Sequence, residues 1–309
     1  MDMREIYCNT LIEEAKTNDK IMVVEADLMR ATGTAAFKDA YPKRFVNVGI
    51  AEANLIGVSA GLSNMGKIPF AATFACFASR RAFDQFFLSA NYAKLNVKLV
   101  GTDPGVTAAF NGGTHMPFED LALMQTIPNL TICEPCDAVS LKKTMKNLIN
   151  HYGSTYMRLQ RKGSQSIYSS DEEFEIGKGK VLKDGNDVTI VALGYVLVPE
   201  ALKAAKMLEK EGISAAVIDP ICVKPLDKEL ILHYASKTKH IVSAENHQVG
   251  GGLGSAISNL LALERPTKMR MVGIQDEFGQ VGTLDFLKEY YKLTADEIYK
   301  QAKAVLNKE

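Results

Sequence analysis

The stretch NVGIAEANLIGVSAGLSNMGKIPFAATFACFASRRAFDQ, positions 47–85, carries the pattern that decides the fold. An apolar run ending near 51 leads into a helical pattern at 53–65, and a second apolar run, IPFAATF (68–74), follows a short turn. A strand, a helix and a strand in so short a span require a crossover, so the two strands lie parallel in a helix-covered sheet. The same alternation extends outward. Strand patterns stand at 21–27, 45–51, 97–103, 130–135 and 155–161, with further helical patterns at 80–91 and 138–151. The stretch 162–186 is rich in Gly, Ser, Lys, Asp and Glu and breaks the rhythm. Beyond it the rhythm resumes with VTIVALG (188–194), ISAAVID (213–219), KHIVSAE (239–245) and KMRMVGI (268–274) and intervening helices. A last helix opens at Thr294 with Glu297 three residues on, a capping-box signature. The expectation is an α/β protein of two domains, each a mostly parallel sheet flanked by helices: 1–165, a linker at 166–186, and 187–309.

Composition narrows the function classes. The chain has 309 residues, 47% hydrophobic, and its 36 Lys plus Arg balance 36 Asp plus Glu. Two domains fit that length, and a zero balance gives no sign of nucleic-acid or anionic-membrane binding. No apolar run reaches the ~18 residues of a membrane span. The start, MDMREIYCNTLIEEAK, is charged and amphipathic, unlike a signal peptide. Five scattered Cys read as reduced thiols in a cytoplasmic setting. Cys133 and Cys136 form a CxxC without a second pair or nearby His, which argues against a metal or redox site. GGGLGS (250–255) does not follow the first strand of a βαβ unit, so it reads as a tight turn into a helix and not a dinucleotide fingerprint.

Three motifs in order make the resemblance specific: GIAE-x-N around Glu52, TF-x-x-F at Phe74 and Phe77, and GTH ending at His115, within NGGTHMPFEDLALMQTIPNLTI (111–132). Together they resemble the pyrimidine-binding domain of transketolases. VALGYVLVPEALKAA, AENHQVGGGLGS and DEFGQVGTLDFL resemble the family's C-terminal domain. The resemblance spans essentially the whole chain. It implies thiamine-diphosphate-dependent transfer of a two-carbon ketol unit from a ketose to an aldose. The family's GDG segment, followed by Asn, which holds the magnesium bridging the diphosphate, is absent from this sequence. The expectation is a split enzyme. An N-terminal transketolase subunit supplies the diphosphate and Mg2+ site, two copies of each chain make the working unit, and this chain binds no metal itself. Two alternatives stand beside it: the β subunit of a 2-oxo-acid dehydrogenase, against which the TF-x-x-F and GTH motifs argue, and a non-catalytic regulatory subunit.

The resemblance implies roles for single residues. Glu52 is the carboxylate that hydrogen-bonds a pyrimidine ring nitrogen and drives the tautomer shift, a strong charge-assisted bond in a water-poor cleft. At the same place a plain carboxylate also favours a helix N-terminus. Phe77 stacks on the pyrimidine and Phe74 lines its edge, although two aromatics at this spacing are commonly core. Asp27 lies near the cofactor, at the end of a strand where open α/β sheets place ligands. His115 contacts the donor sugar from a Gly-rich loop. Arg4 and Arg161 match family arginines that grip the phosphate at the sugar's far end, and Arg30 is an extra base nearby. Arg81 is left undecided, and His247 is expected at the subunit interface.

The sequence departs from the family where the sugar binds. Ala109-Phe110-Asn111-Gly112 replaces a usual Gly-Glu-Asp-Gly, so Asn111 stands where an Asp reads a donor hydroxyl. Met116 replaces a common Gln, Ala31 a Ser and Asp103 a His of the phosphate pocket. An acid beside a dianion is repulsive unless the arginines neutralise it. The expectation is an unusual donor or acceptor, a sulfonated, deoxy or branched sugar or a phosphate bound in a shifted pose; the alternative is that the loop has simply drifted and ordinary pentose phosphates still bind.

Overall fold

The computed structural model describes residues 2–307. Twelve strands build two sheets among those residues. They are β1 (Ile21–Glu25), β2 (Phe45–Asn47), β3 (Ile68–Phe74), β4 (Lys98–Thr102), β5 (Thr131–Cys133), β6 (Thr155–Leu159), β7 (Lys180–Lys183), β8 (Val188–Ala192), β9 (Ala215–Asp219), β10 (Cys222–Lys224), β11 (His240–Gln248) and β12 (Lys268–Ile274). The first sheet runs β10-β5-β6-β4-β3-β1-β2 and the second β12-β11-β8-β9-β7. Pairing is parallel throughout except for the edges, β10 against β5 and β7 against β9. The α/β expectation of mostly parallel sheets flanked by helices holds. β1, β4, β6, β8 and β9 are buried along their whole length, as strands with helices on both faces must be.

In the first sheet the chain steps from β1 to β2 on one side and from β1 to β3 on the other. The crevice past the carboxyl ends of β1 and β3 is therefore a topological switch point, where open sheets hold ligands. Glu52 opens the helix Glu52–Asn64 after the short turn that follows β2. Phe74 closes β3, Asp103 follows β4 and Arg161 follows β6.

Three local features differ from the sequence reading. The helix expected over 80–91 is split into Ala75–Arg80, Phe83–Gln85 and a wider π-helical turn, Phe86–Tyr92. The break falls at Arg81 and Ala82, which lets Arg81 turn back toward Glu52. The stretch 166–186 is more than a connector. Its β7 forms the antiparallel edge of the second sheet, and Ile167 and Tyr168 each donate a backbone N–H to the Asp137 carboxylate at 2.9 Å. Polar composition hid this strand because an edge strand buries few side chains. Lastly, β10 belongs by sequence to the second half but completes the first sheet, with Cys222 opposite Cys133.

The domains are joined by a buried polar network. The Arg158 guanidinium donates to both Asp120 oxygens at 2.9 and 3.1 Å, to Glu134 at 2.5 Å and to the Asn246 carbonyl at 2.9 Å. Asn246 in turn accepts from Val106 N–H at 2.9 Å and donates to the Pro104 carbonyl at 2.9 Å. His247 is wholly buried in this seam, its Nε2 accepting from Ala122 N–H at 3.3 Å. Burial pushes its imidazole down to about 4, which leaves it neutral at pH 7. That corrects the interface expectation, because β11 threads between the domains rather than along a free surface.

Candidate active site

Glu52 starts its helix without a side-chain cap, so its carboxylate points out of the first turn, where the helix dipole favours a negative charge. The residue is 5% exposed. Arg81 Nη1 reaches its two oxygens at 3.3 and 3.5 Å. The same guanidinium lies over the Phe77 ring, 4.0 Å from its centroid. Arg81 thus occupies both features that a flat, N–H-bearing ring would use, a buried carboxylate and an aromatic face. With 54% of its side chain exposed, it has room to swing away.

The aromatic wall continues from there. Phe77 and Phe74 are 6.0 Å apart, and His115 meets Phe77 edge-on at 5.3 Å and Phe74 at 6.1 Å. His115 closes the short turn Gly113–His115, and its Nδ1 is 2.9 Å from Thr114 Oγ1. Arg80 fixes this turn by donating to the Thr114 carbonyl at 2.8 Å. From the C-terminal domain, Gly279 packs so closely that a Cβ on Gly113 would lie 2.1 Å from its carbonyl oxygen, so a glycine is required at 113. The preceding segment Gly105–Asn111 kinks at Ala109, which holds φ 48° and ψ −117°. Such strain persists only where the surroundings enforce it.

Arg161 lies beyond Phe74, its guanidinium 5.2 Å from that ring's centroid. It is ion-paired with Asp103. Arg4 is tied alongside: its N–H donates to the Arg161 carbonyl at 3.1 Å, and its Nη1 to the Ala31 carbonyl at 3.4 Å. Burial raises the Asp103 carboxyl to about 6 against the opposing pull of Arg161.

A continuous path of contacts therefore joins Glu52, Arg81, Phe77, His115, Phe74, Arg161, Asp103 and Arg4. Asp27, Asn111 and Arg30 are exposed and stand outside this path. Asp27 is held at φ 64° by Asn47, which accepts from its N–H at 3.0 Å and donates to its Oδ1 at 3.2 Å. Sequence reasoning missed the part played by Arg81, for which the doubled Arg80-Arg81 before an apolar turn was the available signal. It also missed Glu25, fully buried at the end of β1 and accepting from Thr32 and Thr34 hydroxyls at 2.6 and 2.7 Å. Burial lifts that carboxyl to about 7. Cys133 and Cys136 are buried free thiols, both pushed well up by burial and so inert. Among the described residues, no group of three or more His, Cys, Asp or Glu is arranged to hold a metal ion.

A family model described as the transketolase pyrimidine binding domain matches residues 1–165, and one described as the transketolase C-terminal domain matches 177–298. The chain belongs to the transketolase family. It is 48% identical over 303 residues to the 6-deoxy-6-sulfo-D-fructose transketolase subunit SqwH of Clostridium sp., covering 98% of this chain and 94% of that protein. It is 41% identical over 311 residues to a putative transketolase C-terminal section of Methanocaldococcus jannaschii, covering 99% and 97%. A solved structure described as a split gene transketolase, inactive beta4 tetramer, matches with a TM-score of 0.93 at 46% identity, covering 99% of each chain. The family depends on thiamine diphosphate. The site fits the pyrimidine half of that cofactor: a buried carboxylate paired with a half-exposed arginine, and an aromatic face lying under that arginine. No helix among the described residues is long and apolar enough to cross a membrane.

Proposed function

We propose that this chain is the pyrimidine-binding subunit of a two-chain, thiamine-diphosphate-dependent transketolase of the cytoplasm, with a sulfonated ketose as donor. The observation that carries the reading is Glu52, buried at a helix N-terminus beside the Phe77 face. When bound, thiamine diphosphate supplies the carbon nucleophile that opens the ketose. Glu52 would hold the pyrimidine by a proton-sharing hydrogen bond, and Phe77 and Phe74 would orient the ring. Displacing Arg81 from Phe77 opens that surface. His115 stands against both phenyl rings, where its imidazole can donate to or accept from a sugar hydroxyl. Arg161 and Arg4 bind the anionic tail.

The diphosphate and Mg2+ belong to a partner subunit in this reading, two copies of each chain making the working assembly. Supporting it, the relatives of matching length are named a subunit and a section, and the relative at 48% identity is named for a sulfonated ketose, which supports the sulfonated donor. The test is reconstitution with the co-purified partner, thiamine diphosphate and Mg2+. The complex is expected to transfer the ketol unit from 6-deoxy-6-sulfo-fructose, and the isolated chain to show no turnover. Full activity of the isolated chain would overturn the two-chain reading. A complex that turns over pentose and hexose phosphates but not the sulfonate would overturn the donor.

A further inference from the structure

The two tail-binding arginines are each matched by an acid on this chain. Arg4 Nη2 pairs with Asp2 at 3.3 Å, and Arg161 Nε pairs with Asp103. The two pairs are stitched together by backbone: Arg4 N–H donates to the Arg161 carbonyl at 3.1 Å and Met3 N–H to the Lys162 carbonyl at 3.2 Å. Asp103 is 3% exposed and lies behind Arg161, which is 23% exposed. A bound tail therefore meets the arginine and not the acid. The Asp103 backbone is locked at φ 54°, its N–H donating to the Leu159 carbonyl at 3.0 Å. The groups that act on Asp103 are Arg161, Arg4 and Lys162, of which Lys162 is exposed to solvent. Two guanidinium charges thus stand against two carboxylates, with Lys162 and Arg30 exposed to solvent.

From this charge matching we infer that Asp103 is a specificity-determining positioning residue, which half-neutralises Arg161 so that the pocket favours a monoanionic tail over a dianionic one. A sulfonate carries one charge at any physiological pH, and its three oxygens still accept from the free edge of Arg161. A phosphate monoester carries close to two above its second ionisation near ~6. The second charge gains less from the arginines, because each field is already cancelled at short range, and it meets the residual repulsion of Asp103 through a partly desolvated pocket. Asp103 is the first residue after β4, at the sheet's carboxyl rim. The inference rests on the proposed transketolase reading.

The experiment compares 6-deoxy-6-sulfo-fructose with fructose 6-phosphate on the reconstituted complex at pH 8, where Asp103 is ionised and the phosphate doubly charged. Asp103→Asn is expected to lower KM for fructose 6-phosphate about tenfold with kcat nearly unchanged, and to move KM for the sulfonate by less than about threefold. Asp103→Glu, which restores the charge, is expected to restore the wild-type preference. Asp103→His serves the same comparison if the Asn variant fails to assemble. A preference ratio that stays within about threefold in both variants, or a loss equal for the two donors, overturns the inference while leaving the transketolase reading intact. A wild-type complex that turns over neither donor overturns both.

Discussion

Glu52 has few obligations to the fold. Its side-chain partner is Arg81, which is half exposed, and an ion pair of that kind contributes at most about 1 kcal/mol. Glu52→Gln is therefore expected to leave the thermal midpoint of the chain almost unmoved. An amide keeps the shape of the carboxylate but loses its charge, so kcat of the reconstituted complex is expected to fall by about a hundred- to ten-thousand-fold. Near-normal turnover in a well-folded Gln variant would remove Glu52 from the chemistry. Glu52, Phe74, Phe77 and His115 were legible as residues because their motifs are short and local. Arg81 was not, because its contact with Glu52 spans 29 positions and depends on a helix break that periodicity did not reveal.

The turn GGGLGS is an element whose work is electrostatic. It opens the helix Leu253–Glu264, and the first N–H groups of that helix, from Leu253 and Gly254, donate to the Glu245 carboxylate at 2.6 and 2.8 Å. A Cβ at Gly252 would collide with the Glu245 carboxylate, and one at Gly254 would press on Ser243 and Met271. Burial nonetheless raises the Glu245 carboxyl to about 8. The native state therefore binds a proton that the unfolded chain, with an ordinary carboxylate near ~4.3, has released. The stability contributed by this proton is complete below the unfolded value and is lost as pH rises through about 8. Relative to wild type, Glu245→Gln is expected to gain about 3 kcal/mol between pH 5.5 and 8 in urea unfolding. A difference that is flat across that range would show the carboxylate to be ionised throughout. The sequence showed the turn and the helix. The acid beneath them, a few residues upstream on β11, required the fold.

At the scale of the molecule, the two halves share a sheet edge and a buried guanidinium. β10 caps β5, and Arg158 spends its donors on Asp120 and Glu134 of the first domain and on Asn246 of the second. Cutting the chain at 165 exposes the edge of β5 and leaves the Arg158 network without Asn246. Losing that acceptor leaves a buried guanidinium N–H unpaired, which costs about 1–3 kcal/mol, and an open edge invites aggregation. Residues 1–165 alone are expected to lack a cooperative urea transition and to aggregate, whereas the full chain unfolds cooperatively. A soluble fragment with a sharp transition would show the seam to be dispensable. By itself the sequence determined the alternation of strands and helices, the family and the motif residues, since apolar periodicity and short motifs are written locally. Only the tertiary structure decided that β10 crosses to the other sheet, that His247 is buried in the seam between domains and Glu245 beneath the helix Leu253–Glu264, and that Arg161 is matched by Asp103. Those facts depend on contacts between residues far apart in the chain, where burial and charge pairing are properties of the packed whole.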